Sequence, residues 1–162
     1  MVTDHVVTDH VVTDEVAQEV PVLLDREGVG NCFGCAPGNP SGLHLRFLRR
    51  PDQSIEARVH LDHNLCGFEG VVHGGIQSAI LDEVMGVAAQ FALPSEADNL
   101  ACVTAELSLQ FLRPVMITGE VIAHAKVVHT KGRDIYVHGE IVAEDGSPLT
   151  TARSRWRQAR RY

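Results

Sequence analysis

Aromatic side chains are scarce in this sequence, since Trp, Tyr and Phe together make up 5% of its 162 residues. A chain with so few rings offers few platforms on which nucleic-acid bases or sugars could stack. Hydrophobic residues nevertheless reach 44% and charged residues 22%, as in ordinary globular domains. The composition therefore predicts one compact domain, which is long enough to bury a core without a disulfide framework.

Lysine and arginine are absent from the first twenty positions, which contain five acidic residues. These acids account for most of the formal net charge of −7, and without them the charge is −2. A nearly neutral body lacks the basic surface that nucleic acid requires, so we expect no nucleic-acid partner. The same segment repeats the pentad VTDHV, and we predict a low-complexity arm at residues 1–20 followed by a single domain at residues 21–162.

Long hydrophobic runs are also missing from the sequence. No apolar stretch approaches the roughly 20 residues that cross a bilayer, and the N-terminus lacks the basic-then-apolar order of a secretory signal. We therefore expect a cytoplasmic protein with no membrane partner. Its four cysteines, Cys32, Cys35, Cys66 and Cys102, are then expected to be reduced thiols.

Alternation of apolar and polar residues predicts six strands along the chain. Their ranges are 43–49, 54–60, 100–112, 119–130, 134–144 and 148–157. Short turns separate the last four strands, and connections this short favour antiparallel neighbours. A further short helix is predicted within residues 16–24.

Residues 74–93 form the one long helix that the sequence predicts. Ile76 and Ile80 share a helical face, but Leu81 and Met85 extend the apolar surface around the rest, so the helix is expected to be buried. One buried helix and six strands, in the order ββα-ββββ, predict an α+β fold in which a curved antiparallel sheet wraps around the helix.

Candidate catalytic groups lie at the start of this helix and two turns further on. His73, Gly74 and Gly75 stand where a loop becomes a helix, and the first amides of a helix lack internal partners and carry its positive dipole end. Such amides can hold an oxyanion, and glycines there let a ligand approach the backbone. Asp82 and Glu83 follow as two carboxylates in an apolar segment, where burial without a partner would be costly.

Two interpretations of this acidic pair stay open. One carboxylate could be catalytic and the other structural, or each could cap a loop or pair with an arginine such as Arg46 or Arg113. Geometry limits the catalytic option, because Asp82 follows Gly74 by about 12 Å along one helix. An attacking group and an oxyanion donor must each come within about 3 Å of the reacting carbon. If both belong to one site, they come from two copies of the helix related by a two-fold axis.

These residues together resemble a known family. His-Gly-Gly followed by Asp on one helix, and then VTAELSLQFLRPV at 103–115, closely resemble the hotdog-fold thioesterases of the phenylacetate-pathway and 4-hydroxybenzoyl-CoA type. The segment CFGCAPGNPSGLHLRF at 32–47 is similar to a subgroup of that family. The resemblance covers residues 32–157 and implies a hotdog fold, hydrolysis of an acyl-CoA to free acid and CoA, no cofactor, and a homo-oligomer that is a dimer or a dimer of dimers.

The resemblance also implies roles for individual residues. The Gly74 amide would polarise the thioester carbonyl, and His73 just before it would orient the loop. Asp82, from the opposite subunit, would attack the carbonyl or activate water, and Thr104 would position that water or the carboxylate.

The remaining candidates are expected to contact the substrate: Gly75, Glu83, Asn64 and Phe68. This sequence departs from the family where some relatives carry an Asn shortly before His-Gly-Gly, because Gly67 and Phe68 stand there instead. Asn64 lies farther away, so the residue that would hold the water is unassigned.

A metal or redox interpretation of Cys32-x-x-Cys35 with His44 competes with a structural one. Zinc needs about four ligands, and no second CxxC or His pair supplies the remainder at a familiar spacing. Cys66 or Cys102 could complete such a site only through the fold. No βαβ context indicates a redox pair. We therefore predict a tight structural turn and no metal.

Other classes of function fit the sequence less well. A serine hydrolase lacks its Gly-x-Ser-x-Gly elbow, and a hotdog dehydratase lacks the expected pairing of Asp and His on a loop. A non-catalytic acyl-CoA-binding or regulatory module remains the alternative, since one fold can bind thioesters without cleaving them. The C-terminal arginines are interpreted as a solvated strand face, or else as a site attracting the nucleotide end of CoA. They are Arg153, Arg155, Arg157, Arg160 and Arg161.

Overall fold

The computed structural model describes residues 30–94, 100–117 and 120–160, together with the backbone of Gln18–Glu19. The strands in these residues are β1 Gln18–Glu19, β2 Phe47–Arg49, β3 Ile55–His60, β4 Cys66–Phe68, β5 Val71–Val72, β6 Leu100–Phe111, β7 Glu120–Lys131, β8 Asp134–Val142 and β9 Pro148–Arg160. Helix α1 spans Gly74–Phe91, and a short 3-10 helix covers His63–Leu65.

Seven of the strands form one antiparallel sheet in the order β1-β2-β3-β7-β8-β9-β6. The other two, β4 and β5, form a separate hairpin just before α1. Helix α1 packs against β3, β6, β7, β8 and β9, so the sheet wraps around it. The α+β hotdog fold expected from the sequence is therefore confirmed.

Helix α1 is the centre of the hydrophobic core. Leu81 and Met85 are fully buried on it, and burying a side chain of this size contributes about 1.5–3 kcal/mol. Two glycines let the helix seat closely in the sheet. A Cβ added to Gly86 would lie 2.8 Å from Cη2 of Trp156, and one added to Gly139 of β8 would lie 2.7 Å from Sδ of Met85.

The first half of the chain differs from the sequence prediction in three places. Strand β2 begins at Phe47 rather than at residue 43, because the amides of Leu43 and Leu45 donate to carbonyls of the preceding loop, at 2.7 and 2.8 Å. The helix predicted within residues 16–24 is wrong at Gln18–Glu19, which pairs with β2 as a strand; the rest of that range lies outside the described residues. The hairpin β4–β5 lies between β3 and α1, where the sequence predicted no strand.

The sequence predicted that the strands at 100–112 and 119–130 pair with each other, and this prediction is also wrong. Strand β6 pairs with β9 at one edge of the sheet, whereas β7 lies between β3 and β8. The segment after β6 does not form a tight turn, because Val115 is buried and its carbonyl accepts from the amide of Val72 at 2.9 Å. The chain thus passes the start of α1 before it re-enters the sheet at β7.

The N-terminal arm predicted at residues 1–20 lies outside the described residues, apart from the backbone of β1. The domain boundary at residue 20 therefore stays a prediction. Over the described ranges, no helix is both long and apolar enough to cross a membrane.

A buried hydrogen-bond chain fixes the start of α1 to the sheet. The side-chain amide of Gln77 donates to the carbonyl of Val72 at 3.0 Å, and the hydroxyl of Thr150 on β9 donates to Oε1 of Gln77 at 2.5 Å. Gln77 and Thr150 are both buried. The second turn of the helix is therefore held by polar contacts that water cannot replace.

Replacing Thr150 by Val should lower the free energy of unfolding by about 1–3 kcal/mol, because the buried Oε1 of Gln77 would lose its donor while the volume stays nearly unchanged. Urea denaturation measures this change. The matched control is Thr151→Val at the neighbouring half-buried position, which should change stability by no more than about 0.5 kcal/mol. Equal losses in both variants would contradict the prediction.

Candidate active site

His73 caps the start of α1 and leaves one helix amide free. Its Nδ1 accepts from the amide of Gly75 at 2.8 Å, and its carbonyl accepts from the amides of Ile76 and Gln77. With Nδ1 as an acceptor, the neutral ring carries its proton on Nε2. The Gly74 amide makes no hydrogen bond to any described residue, so it is an unpaired donor at the positive end of the helix dipole.

The surroundings of this amide come from two other elements. A Cβ on Gly74 would lie 3.4 Å from Cζ of Phe111, an aromatic residue at the end of β6 that is 55% exposed. On the other side, the carbonyl of Leu65 accepts from the amide of His73 at 2.9 Å, and Gly67 approaches the His73 ring so closely that its missing Cβ would lie 2.8 Å from Cδ2. The hairpin β4–β5 is thereby held against the helix start.

Asn64 and Phe68 lie in the segments that flank this hairpin contact. Asn64 is part of the short 3-10 helix, and Phe68 at the end of β4 is 78% exposed. Their expected contacts with a substrate stay a prediction, as do those of Gly75.

The second group of candidate residues lies two turns along α1. The hydroxyl of Thr104 on β6 donates to Oδ1 of Asp82 at 2.8 Å, so the structure brings together the two residues that the sequence had placed on separate elements. Asp82 is half-buried and lines a cavity of about 200 Å³. The other lining residues are Glu83, Gly86, Val87, Gln90, Cys102 and Trp156.

Glu83 lies beside the two cysteines of the CxxC segment. The Sγ of Cys32 lies 3.6 and 3.7 Å from the two carboxylate oxygens of Glu83, and the Cys35 thiol lies 3.3 Å from that of Cys32. Burial, together with the neighbouring carboxylate, raises the pKa of the Cys35 thiol well above its ordinary value.

The alternative in which an arginine pairs with this acidic pair is wrong for Arg113, whose guanidinium donates instead to the carbonyl of Pro148, at 2.7 and 3.1 Å. No ion pair joins Arg46 to either carboxylate among the described residues.

Three residues that the sequence did not place near the candidate groups lie beside them. Phe111 covers Gly74, Cys102 lines the Asp82 cavity, and the side-chain oxygen of Gln90 accepts from the amide of Cys102 at 3.2 Å. Each belongs to a regular helix or strand pattern, so only the packing of α1 against β6 shows that it lies at the site.

Two of the arginines on β9 pair with acidic neighbours. Nε of Arg157 lies 2.5 Å from Asp134, and Arg155 pairs with both Asp134 and Glu106. These ion pairs favour the interpretation of a solvated strand face over that of a phosphate-binding site for these two residues.

Comparison with known proteins identifies the family. The model of the thioesterase superfamily matches residues 69–150, from the β4–β5 hairpin to β9, and this range includes Gly74, Asp82 and Thr104. This chain belongs to the thioesterase superfamily. The resemblance seen in the sequence is thus confirmed.

One relative shares about a third of its residues with this chain over the matched range. An uncharacterized mitochondrial protein of Candida albicans is 33% identical over 113 residues, which cover 67% of this chain and 49% of the relative. The chain thus spans about half the length of that relative. Because the Candida protein is described as mitochondrial, the expected cytoplasmic location stays a prediction.

Solved structures of the family share the fold. The thioesterase superfamily protein RHA08564 matches with a TM-score of 0.68 and 27% identity. The match covers 75% of this chain and 57% of RHA08564. The BH2602 protein of Bacillus halodurans, crystallised with CoA, has a TM-score of 0.59 at 27% identity over 64% of this chain and 66% of its own.

The thiol of Cys102 should react slowly near neutral pH, because burial raises its pKa to about 11 and only the thiolate is nucleophilic. We expect its alkylation by iodoacetamide to rise about tenfold per pH unit between pH 7 and 9.5. Mass spectrometry of the Cys102 peptide gives this rate, and circular dichroism checks that the fold persists. A rate that levels off below pH 9 would contradict the prediction.

Proposed function

We propose that this chain hydrolyses an acyl-CoA thioester to a free acid and CoA, at a site formed between two copies of the chain. The observation that carries the proposal is the unpaired amide of Gly74 at the start of a helix that also carries Asp82, held by Thr104. Membership of the thioesterase superfamily supports hydrolase chemistry. The CoA in the Bacillus halodurans relative supports CoA as the carrier.

In this mechanism the Gly74 amide stabilises negative charge on the carbonyl oxygen. Attack on the thioester carbon moves an electron pair onto that oxygen, and a preorganised amide donor at a helix start lowers the energy of this oxyanion. His73 positions the amide, because its ring occupies the neighbouring Gly75 amide and its carbonyl begins the helix. The oxyanion then collapses and expels the CoA thiolate.

Asp82 supplies the attacking group or its base. As a general base, it takes a proton from water while the water oxygen bonds to the carbonyl carbon, and it returns that proton to the departing thiolate. As a nucleophile, it forms a mixed anhydride that water then cleaves to the acid. Thr104 occupies Oδ1, and no described residue donates to Oδ2, which leaves that oxygen for the substrate or water.

One copy of the chain cannot bring these groups together. The Gly74 amide and Asp82 are separated by about 12 Å along a rigid, buried helix, while both must come within about 3 Å of one carbon. The Asp82 cavity is lined by residues from the middle and end of α1 and includes no residue of its first turn. A second helix is therefore needed.

The exposed edge of the sheet indicates how a second copy would fit. Among the described residues β6 pairs only with β9, and it exposes apolar side chains at both ends, with Val103 49% and Phe111 55% exposed. An open edge of this kind is a template for another strand. Strand β6 runs antiparallel to α1, with Thr104 beside Asp82 and Phe111 beside Gly74.

Antiparallel pairing of two β6 strands about their midpoint would therefore join the two candidate groups. The Thr104 end of one strand would lie beside the Phe111 end of the other, so that the Asp82 carboxylate of one copy approaches the Gly74 amide of its partner. A two-fold axis would produce two equivalent sites in each dimer. A dimer of dimers would contain the same pair.

Replacing Asp82 by Asn should lower kcat by about 10²–10⁴-fold, because the amide cannot accept the proton or attack the carbonyl. Thiol release from a panel of acyl-CoAs measures the loss. The matched control is Glu144→Gln on the exposed turn before β9, which should keep full activity. Full activity in the Asp82→Asn variant would exclude the role assigned to Asp82. If the unaltered chain binds acyl-CoA but releases no thiol, the result would favour a non-catalytic binding module instead.

Mixing two inactive variants tests whether the site is shared. Gly74→Pro removes the amide donor at a helix position that tolerates proline, and the extended backbone of His73 is compatible with a following proline. After exchange of subunits with Asp82→Asn, half of the dimers would be mixed and would hold one intact site, so about a quarter of the activity should return. No recovery, despite subunit exchange shown by native mass spectrometry, would contradict a shared site.

A further inference from the structure

A cluster of three potential metal ligands lies between the CxxC loop and α1. One sulfur from each of Cys32 and Cys35, and one carboxylate oxygen of Glu83, all lie within 4.8 Å of one another. Cys35 is buried, and the other two are half-buried. The two thiols come from a single turn, closed by a hydrogen bond from the amide of Ala36 to the carbonyl of Cys32 at 3.2 Å.

Two of the distances in this cluster are close to those between neighbouring ligands of a zinc ion. A tetrahedral ion with bonds of about 2.3 Å to sulfur and 2.0 Å to oxygen separates two sulfurs by about 3.8 Å and a sulfur from an oxygen by about 3.5 Å. The structure has 3.3 Å between the two sulfurs and 3.6 Å between the Cys32 sulfur and the nearer Glu83 oxygen. The Cys35 sulfur and a Glu83 oxygen lie within 4.8 Å of each other, so an ion would draw these two ligands closer together.

Without a cation, this arrangement stabilises the carboxylate poorly. Thiols are weak hydrogen-bond donors, and the loop removes part of Glu83 from water. The loop nevertheless makes room for the carboxylate, because a Cβ on Gly34 would overlap its Oε2 and Cδ atoms. A glycine between the two cysteines thus lets the carboxylate reach the position where it faces both sulfurs.

The described residues supply three ligands and no fourth. His44, which the sequence placed with the CxxC pair, uses its Nε2 for the carbonyl of Asn39 at 2.6 Å. Neither Cys66 nor Cys102 belongs to the cluster. Zinc sites with three protein ligands keep a fourth position for water, so the set is sufficient for binding. Thiolate ligands favour zinc over the hard cations magnesium and calcium.

We propose that Cys32, Cys35 and Glu83 bind one zinc ion that joins the loop at 31–42 to the middle of α1. Binding would release the thiol protons to solvent and bring two thiolates and one carboxylate onto the ion. The ion would hold Glu83 away from the neighbouring Asp82 and would fix one wall of the cavity that both residues line. The tests of this zinc site measure metal binding and do not depend on the proposed hydrolysis.

Zinc content tests the proposal directly. The full chain is reduced, loaded with zinc chloride and freed of unbound metal by gel filtration, and the metal is then measured by mass spectrometry. We expect about one zinc per chain. Replacement by cobalt should produce the near-ultraviolet absorption of thiolate bound to cobalt. The single variants Cys32→Ser, Cys35→Ser and Glu83→Gln should each bind zinc at least about tenfold more weakly.

Two further variants separate the cluster from unspecific thiol binding. Cys66→Ser removes a half-buried thiol outside the cluster and should bind zinc as the unaltered chain does. Gly34→Ala keeps all three ligands but displaces the Glu83 carboxylate, so it should bind zinc more weakly while far-ultraviolet circular dichroism shows an intact fold.

Three results would each overturn the proposal. The first is a reduced chain that binds no zinc and shows no cobalt–thiolate band. The second is zinc binding that persists unchanged in folded Cys32→Ser and Cys35→Ser variants. Loss of zinc in Cys66→Ser, with retention in Glu83→Gln, would place the ion elsewhere. Because the readout is metal content, each of these outcomes is distinguishable from a failure of the proposed hydrolysis.

Discussion

The burial of one helix inside a curved sheet is the constraint on which the rest of this structure depends. Helix α1 has apolar side chains around most of its circumference, and the sheet covers it with β3, β6, β7, β8 and β9. At Gly86 and Gly139 the helix and the sheet approach so closely that an added Cβ would clash. The polar groups on α1 are therefore held at fixed separations, and chemistry that needs two of them on one atom must use a second helix.

The same constraint gives the two ends of β6 different neighbours. Since α1 and β6 run in opposite directions, the free amide of Gly74 lies beside the end of the strand, and the carboxylate of Asp82 lies beside its beginning. Two-fold symmetry about an edge strand exchanges beginning and end, which is why a proposed dimer would unite the groups that one chain separates. Glu83, the next residue along α1, contacts the CxxC loop, so the two adjacent acids have different hydrogen-bond partners.

Local patterns in the sequence predicted much of the fold. The helix at 74–93 and five of the strands agree with the structure to within about three residues at their ends, because apolar periodicity reflects which face of each element is buried. The sequence was misleading at the short connection between β6 and β7, which predicted a hairpin. The segment after β6 contains a proline and reads as a turn, but Val115 is buried near the start of α1, so β6 pairs with β9. Residues 43–46 alternate like a strand, yet Leu43 and Leu45 bond to the preceding loop.

The sequence by itself determined which groups are available: a glycine amide at a helix start, a carboxylate about 12 Å along the same helix, and a pair of cysteines in a turn. Spacing along one helix is a local property, so it could be read without a structure. Only the tertiary structure decided that Thr104 bonds to Asp82, that Phe111 covers Gly74, and that Glu83 lies beside Cys32 and Cys35. These contacts join residues far apart in the chain, and their formation depends on how the whole sheet closes around α1, which no local pattern encodes.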